Sequence, residues 1–509
     1  MLTIRLGNYS LDPAPEGLGG AWVYKTDGRA VSRDWHAALP FIAEADAATA
    51  QRLSELKAAE LQRLAPSWSL DADIEIPAVP GFEYRPYQKA GIKYALAREA
   101  TLIADVPRLG KSAQAIGVAN YLHGRKFLVI CPAVAKPQWR RYCQDWLVHP
   151  GVVKVLQGLS DTVSGDTVVV NWDILSEYAD VLADVSWDVV VFDECRAMAS
   201  EKAQRTKAAL KLKAKKYIYL DGTPINTRPK DLWTVIRRCD RWDLGRSRPD
   251  FYKRYCDAEQ PDGSWDPNGA SNMEELQRRM RKSFMIRREK KDVVAEIPSS
   301  RQMVWLPNDE LQSLLDAERS ALTAGDSRSL TEILEAWADG DGPVDNGALA
   351  SARQALALAK LPYVYEYVER LLKTTNKVVV FAFHRAVATA LAAHFTGSAM
   401  VIGGVTPKQR QAAIDRFQGD PNCRVLVGNI TACSSAISLA AADDVVYAEL
   451  SWIPTEMEQS EDRIWLPEKE VPLTAHWLMF ENSADATMHT ILLHRMTTIN
   501  KALNREAIT

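Results

Sequence analysis

Short runs rich in β-branched residues recur along this chain, separated by stretches long enough for a helix. Between residues 76 and 240 they read ATLIAD, KFLVICP, DTVVVNW, DVVVFDE and KYIYLDGTP. Apolar runs of this kind, alternating with helical segments, mean strands buried on both faces of a parallel sheet. The alternation stops over 241–360, where the chain turns polar, helical and locally basic and carries a Gly/Asp-rich loop, ADGDGPVDNG. It returns from about residue 361 with NKVVVFAF, AMVIGG, CRVLVGN, DDVVYAEL and LTAHWLMF, and a long final helix from about 484 closes the chain. The pattern predicts an α/β protein: one lobe with a parallel sheet over 76–240, a helical insertion and linker over 241–360, and a second such lobe over 361–509. With 509 residues there is enough chain for two or three domains with their own cores.

Residues 1–75 read as a small accessory module. TIRLGNYSL and AWVYKT are short strands around Gly and Pro turns, and Leu53, Leu56, Leu61 and Leu64 fall near one face of a helix that Pro66 closes. Formal net charge is −3, so any nucleic-acid surface has to be local rather than global. The seven cysteines are scattered without a C-x-x-C pair, which argues against a zinc ribbon and against a disulfide framework. An odd thiol count and no signal peptide fit a reducing, cytoplasmic setting. No apolar run is long enough to span a bilayer, so no membrane partner is expected. The eight histidines show no metal-ligand spacing.

The stretch DVPRLGKS, Asp105 to Ser112, ends like a phosphate-binding loop. A strand leads in and a helix leads out, so backbone N–H groups at the helix start face a β-phosphate, helped by the helix dipole. Lys111 reaches the β- and γ-phosphates, and the Ser112 hydroxyl binds Mg²⁺. A G-K-S at a helix start also arises by chance. A second site weighs against that: VVVFDECR puts Asp193 and Glu194 at the end of an apolar strand, where α/β sheets bind ligands. Asp193 can hold Mg²⁺ through water and Glu194 can polarise the attacking water; the bland alternative is an acid pair capping a loop.

In order along the chain, these stretches resemble the motifs of the SNF2 family of superfamily 2 helicase-like ATPases. YRPYQKAG (84–91) resembles its Q-motif region. The family's loop reads D-E-x-G-L-G-K-T, so Asp105 matches, while Val106, Pro107 and Arg108 depart, the last standing where the family has glycine. VICPAVAKPQWRRYCQDW and VVVNWDIL are similar to motifs Ia and Ib. DECR stands for D-E-x-H, with Arg196 in place of histidine, and LDGTPINTRPKDLW is very similar to L-T-G-T-P-I-x-N-x-x-x-E-L-W. The segment from FYKRYC to MIRREKKDVVAEIP resembles the annealing-helicase branch, which includes fork-remodelling enzymes and smaller phage and bacterial relatives. The likeness covers roughly 80–500.

The resemblance implies two RecA-like lobes that close on ATP and Mg²⁺ and ratchet along one strand of a duplex. It implies that Gln88 reads the adenine, that Asp105, Leu109, Gly110, Lys111 and Ser112 form the nucleotide cradle, and that Asp193 and Glu194 serve hydrolysis. Asp462 and Arg463 come from the second lobe to complete the cleft. Pro132, Asn171, Gly222, Thr223 and Thr431 contact DNA or couple it to the site, with Pro224 beside them. The implied activity is an ATP-dependent DNA translocase that remodels or anneals branched or forked DNA in replication, recombination or repair, acting as a monomer on duplex or forked DNA. The departures lie in the second lobe. Motif VI runs Q-x-x-D-R-x-H-R-I-G-Q in the family and QSEDRIWLPEK here: Gln459, Asp462 and Arg463 remain, but Trp465 takes the histidine's place and Leu466 the second arginine's. Ala436 replaces a motif V glycine. Leucine cannot donate to a phosphate, so turnover is expected to be weak unless another group substitutes; Lys469 is the candidate near in sequence. The alternative function is therefore a weakened SNF2 fold that grips DNA or a protein without sustained hydrolysis. An unrelated P-loop kinase or nuclease subunit has no supporting constellation.

Basic clusters that could neutralise DNA phosphates are Arg140 and Arg141, then Arg278, Arg279, Arg281 and Lys282, then Arg287, Arg288, Lys290 and Lys291. A solvated helix face is the ordinary fate of such runs, and the arginines of RREKKDV are expected to brace the two lobes. Among the tryptophans, only Trp465 is a candidate for stacking on a base; the others read as packing.

Overall fold

In a computed structural model, the residues described are 2–5, 8–11, 23–24, 30–32, 35–159, 161–222, 228–258, 265–293, 299–308, 310–324, 328–338, 347–433, 438–466, 469 and 471–503. The chain divides into two compact units, 1–68 and 69–508.

In the first unit, strands β1 (Leu2–Arg5), β2 (Asn8–Leu11), β3 (Val23–Tyr24) and β4 (Ala30–Ser32) form an antiparallel sheet in the order β1-β2-β4-β3. A helix over Ala47–Leu64 follows, started by the Asp46 carboxylate, which accepts from the Thr49 N–H at 2.9 Å. Leu53 and Leu64 are buried, as the leucine spacing predicts.

The second unit holds two parallel sheets. The first contains β5 (Ala100–Ile103), β6 (Phe127–Cys131), β7 (Val153–Val155), β8 (Thr167–Asn171), β9 (Ser186–Asp193), β10 (Lys213–Leu220) and β11 (Met285–Ile286), in the order β11-β5-β10-β9-β6-β8-β7. The second contains β12 (Ser299–Leu306), β13 (Val378–Ala382), β14 (Ala399–Val401), β15 (Val425–Asn429), β16 (Asp444–Tyr447) and β17 (Leu473–Phe480), in the order β12-β17-β16-β13-β15-β14. The central strands are buried end to end, which is why they read as unbroken apolar runs. Register brings the carboxyl ends together: Ile103 pairs with Leu220, and Leu220 with Asp193. The loops that follow β5, β9 and β10 therefore converge at one edge, where ligands bind in such sheets.

The segment expected as a separate insertion, 241–360, is divided between the lobes. Leu244, Phe251, Tyr255, Leu276 and Met280 pack into the first lobe's core, and β11 adds to its sheet. β12 adds to the second sheet, and Leu315, Leu356 and Ala357 join that lobe's core. Both strands escape the sequence reading for physical reasons. β11 is two residues long, and β12 is an edge strand with Met303 and Trp305 exposed, so neither shows a buried run.

Candidate nucleotide site between the two lobes

The phosphate loop is built on β5 and the helix Lys111–Tyr121. Gly110 is that helix's N-cap at φ 75°, a left-handed conformation, and a Cβ there would meet the Gln88 amide nitrogen at 2.3 Å. Gln88 donates to the Leu109 carbonyl at 3.3 Å and accepts from the Arg85 N–H at 3.0 Å. Its amide is thus turned onto the loop, tying the Q-motif helix to the phosphate cradle. The Asp105 carboxylate lies beneath the loop. It is wholly buried, pairs bidentately with the Arg288 guanidinium and accepts from Gln114 at 2.8 Å. It anchors the cradle from below, while its backbone carbonyl accepts the Lys111 ammonium at 2.9 Å. Gly91 makes room for this pair, since a Cβ there would overlap the Gln114 side chain at 1.8 Å. A buried pair with every partner in place is robust, but removing one member leaves an uncompensated charge and costs about 3–5 kcal/mol.

Lys111 is the centre of the site's charge. Burial pulls its pKa down, and Glu194, Asp105, Asp221 and Asp193 pull it back up. Burial raises the Asp193 pKa, and repulsion from Glu194 adds to that; its carboxylate accepts from the Trp139 indole N–H at 2.7 Å and its backbone carbonyl from Trp172 at 2.9 Å. Burial also acts to raise Glu194, but the Arg196 guanidinium at 2.8 Å outweighs it and holds this carboxyl below its usual range. Glu194 sits at φ 51°, an uncommon left-handed geometry for a non-glycine and typical of strained functional turns. Arg196 also reaches Asp221: its N–H donates at 3.3 Å and its guanidinium lies at 3.8 Å. Arg196, which replaces histidine in DECR, and Asp221, which stands where the motif L-T-G-T-P has threonine, thus form one ion pair linking the acid loop to the end of β10. Ser112 stands at the helix start, partly buried.

The second lobe closes the site with the segment 462–466, which follows the helix Pro454–Glu461. Arg463 is buried, and its pKa is lowered by burial and raised by Asp462, Glu194 and Asp193, so its charge is felt at the acid pair of the first lobe. Trp465, the base-stacking candidate, is instead 4% exposed and carries the Lys290 ammonium 4.4 Å over its ring. Lys469, the candidate substitute for the missing arginine, is tied to Asp443 at 2.6 Å and to the Ala442 carbonyl. Arg108 of the phosphate loop does meet this segment. It holds φ 74° where the family has glycine, a conformation costing about 1–2 kcal/mol. Its guanidinium donates to the carbonyls of Asp462 at 3.1 Å and Arg463 at 2.9 Å, bonds strong enough to offset that strain. Beside it, Leu109 shares an apolar cluster with Ile464 and Trp465, and Lys290 pairs with Asp462. The seam also holds a cavity of about 670 Å³ lined by Val106, Pro107 and Gly222 on one side and Gln459, Asp462 and Trp465 on the other. Lys111, Asp193 and Glu194 do not line it.

The basic clusters resolve unequally. Arg281, Arg287 and Arg288 are buried, so they are not phosphate contacts on a surface. Arg287 donates to the Ala104 and Gly222 carbonyls, both at 2.8 Å, and Arg281 to the Arg287 carbonyl at 2.9 Å. These arginines brace the first lobe internally, while Lys290 crosses to Asp462 of the second. Arg279 pairs with Asp243. Arg140, Arg141 and Thr431 are exposed, and Pro132 is partly so. Asn171 is buried and bonded to Lys136 and Asp173. Gly222 is buried too, its Cα facing Pro107 and Lys111. Thr223, Pro224 and Ala436 lie outside the described residues.

Fold and site together define a two-lobed nucleotide-binding core in which a phosphate loop, an acid pair and an arginine from the opposite lobe converge. The SNF2-related domain matches residues 87–317, and the helicase conserved C-terminal domain matches 360–465. The chain belongs to the SNF2 family of helicase-like ATPases. Among relatives, the SWI/SNF-related matrix-associated actin-dependent regulator of chromatin subfamily A-like protein 1 of Xenopus tropicalis is 30% identical, covering 88% of this chain and 49% of that protein. The human DNA annealing helicase and endonuclease ZRANB3 is 29% identical, covering 82% and 40%. The solved Sulfolobus solfataricus SWI2/SNF2 ATPase core in complex with dsDNA is 20% identical, covering 86% of this chain and 96% of that one, with a TM-score of 0.41. The chain spans about half the length of the curated relatives it matches. Among the described residues, no helix is long and apolar enough to cross a membrane.

Proposed function

We propose that the chain is an ATP-driven translocase on duplex DNA that remodels or anneals branched DNA. The observation that carries this reading is the convergence across the seam: the loop bearing Lys111 is bonded through Arg108 to the backbone of Asp462 and Arg463 of the second lobe, which sets the buried Arg463 in the field of Asp193 and Glu194. The residues suit a nucleoside triphosphate and its metal, because a buried ammonium among carboxylates, at a left-handed glycine that opens a helix, is a phosphate cradle. Ser112 and Asp193 would hold Mg²⁺, which when bound neutralises charge on the phosphate oxygens. Glu194 orients the attacking water, held ionised by Arg196. Lys111 binds the β- and γ-phosphates. Arg463 steadies charge on the transferring group from the opposite lobe, a contribution of roughly 10³–10⁵ in rate for such arginines. The ion pair between Arg196 and Asp221 passes changes at Glu194 to Gly222, the route from hydrolysis to DNA. Exposed Arg140 and Arg141, after Pro132, and Thr431 at the edge of the second lobe are the surface contacts to DNA phosphates under this reading.

Leucine at 466 favours a second reading, a weakened engine that binds without sustained turnover. ATP hydrolysis measured without DNA, with duplex and with a fork separates the two. The translocase reading expects stimulation by fork DNA that vanishes in Lys111→Ala. Hydrolysis at the Lys111→Ala background on every DNA would leave the binding module standing.

A further inference from the structure

The seam between the lobes is fastened at a point where this chain departs from the family's loop pattern. Arg108 is a non-glycine residue of the phosphate loop in the left-handed region, and its guanidinium spans two successive carbonyls of the motif VI segment, those of Asp462 and Arg463. The Arg463 carbonyl also accepts the Leu439 N–H at 2.8 Å. The Arg463 backbone is therefore gripped from both lobes, while its side chain lies in the field of Glu194 and Asp193. Lys290 holds the Asp462 carboxylate, and Leu109 packs with Ile464 and Trp465 in the same cluster. Leu466, three residues on, supplies no cation, and Lys469 is committed to Asp443.

We propose that Arg108 is a positioning residue for Arg463, compensating from the phosphate loop for the arginine missing at 466. Because it belongs to the loop that cradles the phosphates, any shift of that loop is transmitted directly to the backbone of the finger. A glycine there would relax the backbone but leave the two carbonyls without the clamp. A lysine would keep the charge yet offer one nitrogen to two acceptors. The inference rests on the ATPase reading above and deepens it.

The test compares wild type, Arg108→Gly, Arg108→Lys, Leu466→Arg and Arg108→Gly/Leu466→Arg. Each is assayed for ATP hydrolysis with fork DNA, for affinity toward a fluorescent ADP analogue and for melting temperature. Arg108→Gly is expected to lower kcat by about 10–100-fold, the range of a misplaced catalytic group, with KM for ATP and analogue affinity within about twofold. Its melting temperature should change little, since glycine removes the left-handed strain along with the two bonds that offset it. Arg108→Lys should recover only part of the loss, Leu466→Arg alone should change little, and the double variant should regain most of the rate. A second readout stands apart from hydrolysis: spin labels on cysteines introduced at exposed Gln144 and Gln411, one in each lobe. Arg108→Gly should broaden their distance distribution. Wild-type hydrolysis at the Lys111→Ala background would fail the ATPase reading, and the label distances would still decide whether Arg108 fastens the seam. An unchanged kcat together with an unchanged distance distribution in Arg108→Gly would overturn the proposal.

Discussion

The two sheets share one architecture and use their carboxyl edges differently. At the first lobe's edge, Asp105, Lys111, Asp193, Glu194, Arg196, Asp221, Arg287 and Arg288 interlock within a few ångströms, nearly all of them buried or partly so. At the second lobe's edge, the turn after β13 is held by one acid. Glu449 accepts the Phe383 and His384 N–H groups, both at 2.9 Å, and contacts the His384 ring at 2.5 Å. What the second lobe gives the seam is a short segment bearing Arg463. Parallel sheets converge loops at one edge whatever those loops contain. Under the proposed function the edge dense in opposed charges holds the nucleotide, and a sparse edge suffices for the lobe that presents Arg463 to it.

That asymmetry can be broken by substitution. Lys111→Ala should have the largest effect, taking hydrolysis to background, because Lys111 is the cation of the loop itself and feels all four carboxylates. Arg288→Ala strands the buried Asp105 charge beneath the loop and should destabilise the first lobe by about 3–5 kcal/mol, read as an early step in urea unfolding with loss of ATP binding. Glu449→Ala on the sparse edge should cost about 1–3 kcal/mol for the N–H groups left without an acceptor. Affinity for ATP should be unchanged, a contrast that equilibrium binding checks. Glu318→Gln should have the smallest effect. Burial, aided by Asp485, raises the Glu318 pKa from 4.5 to about 7, while its carboxylate accepts the Ala484 N–H at 2.8 Å. A raised folded-state pKa means the folded chain holds a proton that the unfolded chain has released. Its stability contribution is full below pH 4.5 and is lost as pH rises through 7. The glutamine variant keeps an acceptor for Ala484, so its melting temperature should fall less than the wild type's between pH 5 and pH 8.

Both sheets were legible in the sequence because their central strands are buried on two faces and spell out apolar runs. The positions of the loop at 105–112 and of the Asp193–Glu194 pair were legible for a related reason, since each sits at the end of such a run. What stayed hidden depends on contacts between distant residues. Arg288 reads as one cation in a basic stretch, and only the fold brings it to Asp105. Trp139 reads as packing, yet its indole N–H orients the Asp193 carboxylate. Arg108 was visible as a departure from glycine, but local sequence cannot reveal that its partners lie in the other lobe. The split of 241–360 was hidden because an edge strand and a two-residue strand leave no periodic trace. Lys469, close to Leu466 in the chain, is directed to Asp443, which shows how little nearness in sequence says about nearness to a site.

The central claim is that Arg463 acts across the seam on a nucleotide held by the first lobe. Steady-state ATP hydrolysis with saturating fork DNA, for wild type and Arg463→Ala, tests it most directly. The account predicts a fall of about 10³-fold or more in kcat with ATP affinity retained. An Arg463→Ala protein that hydrolyses ATP at the wild-type rate would contradict it.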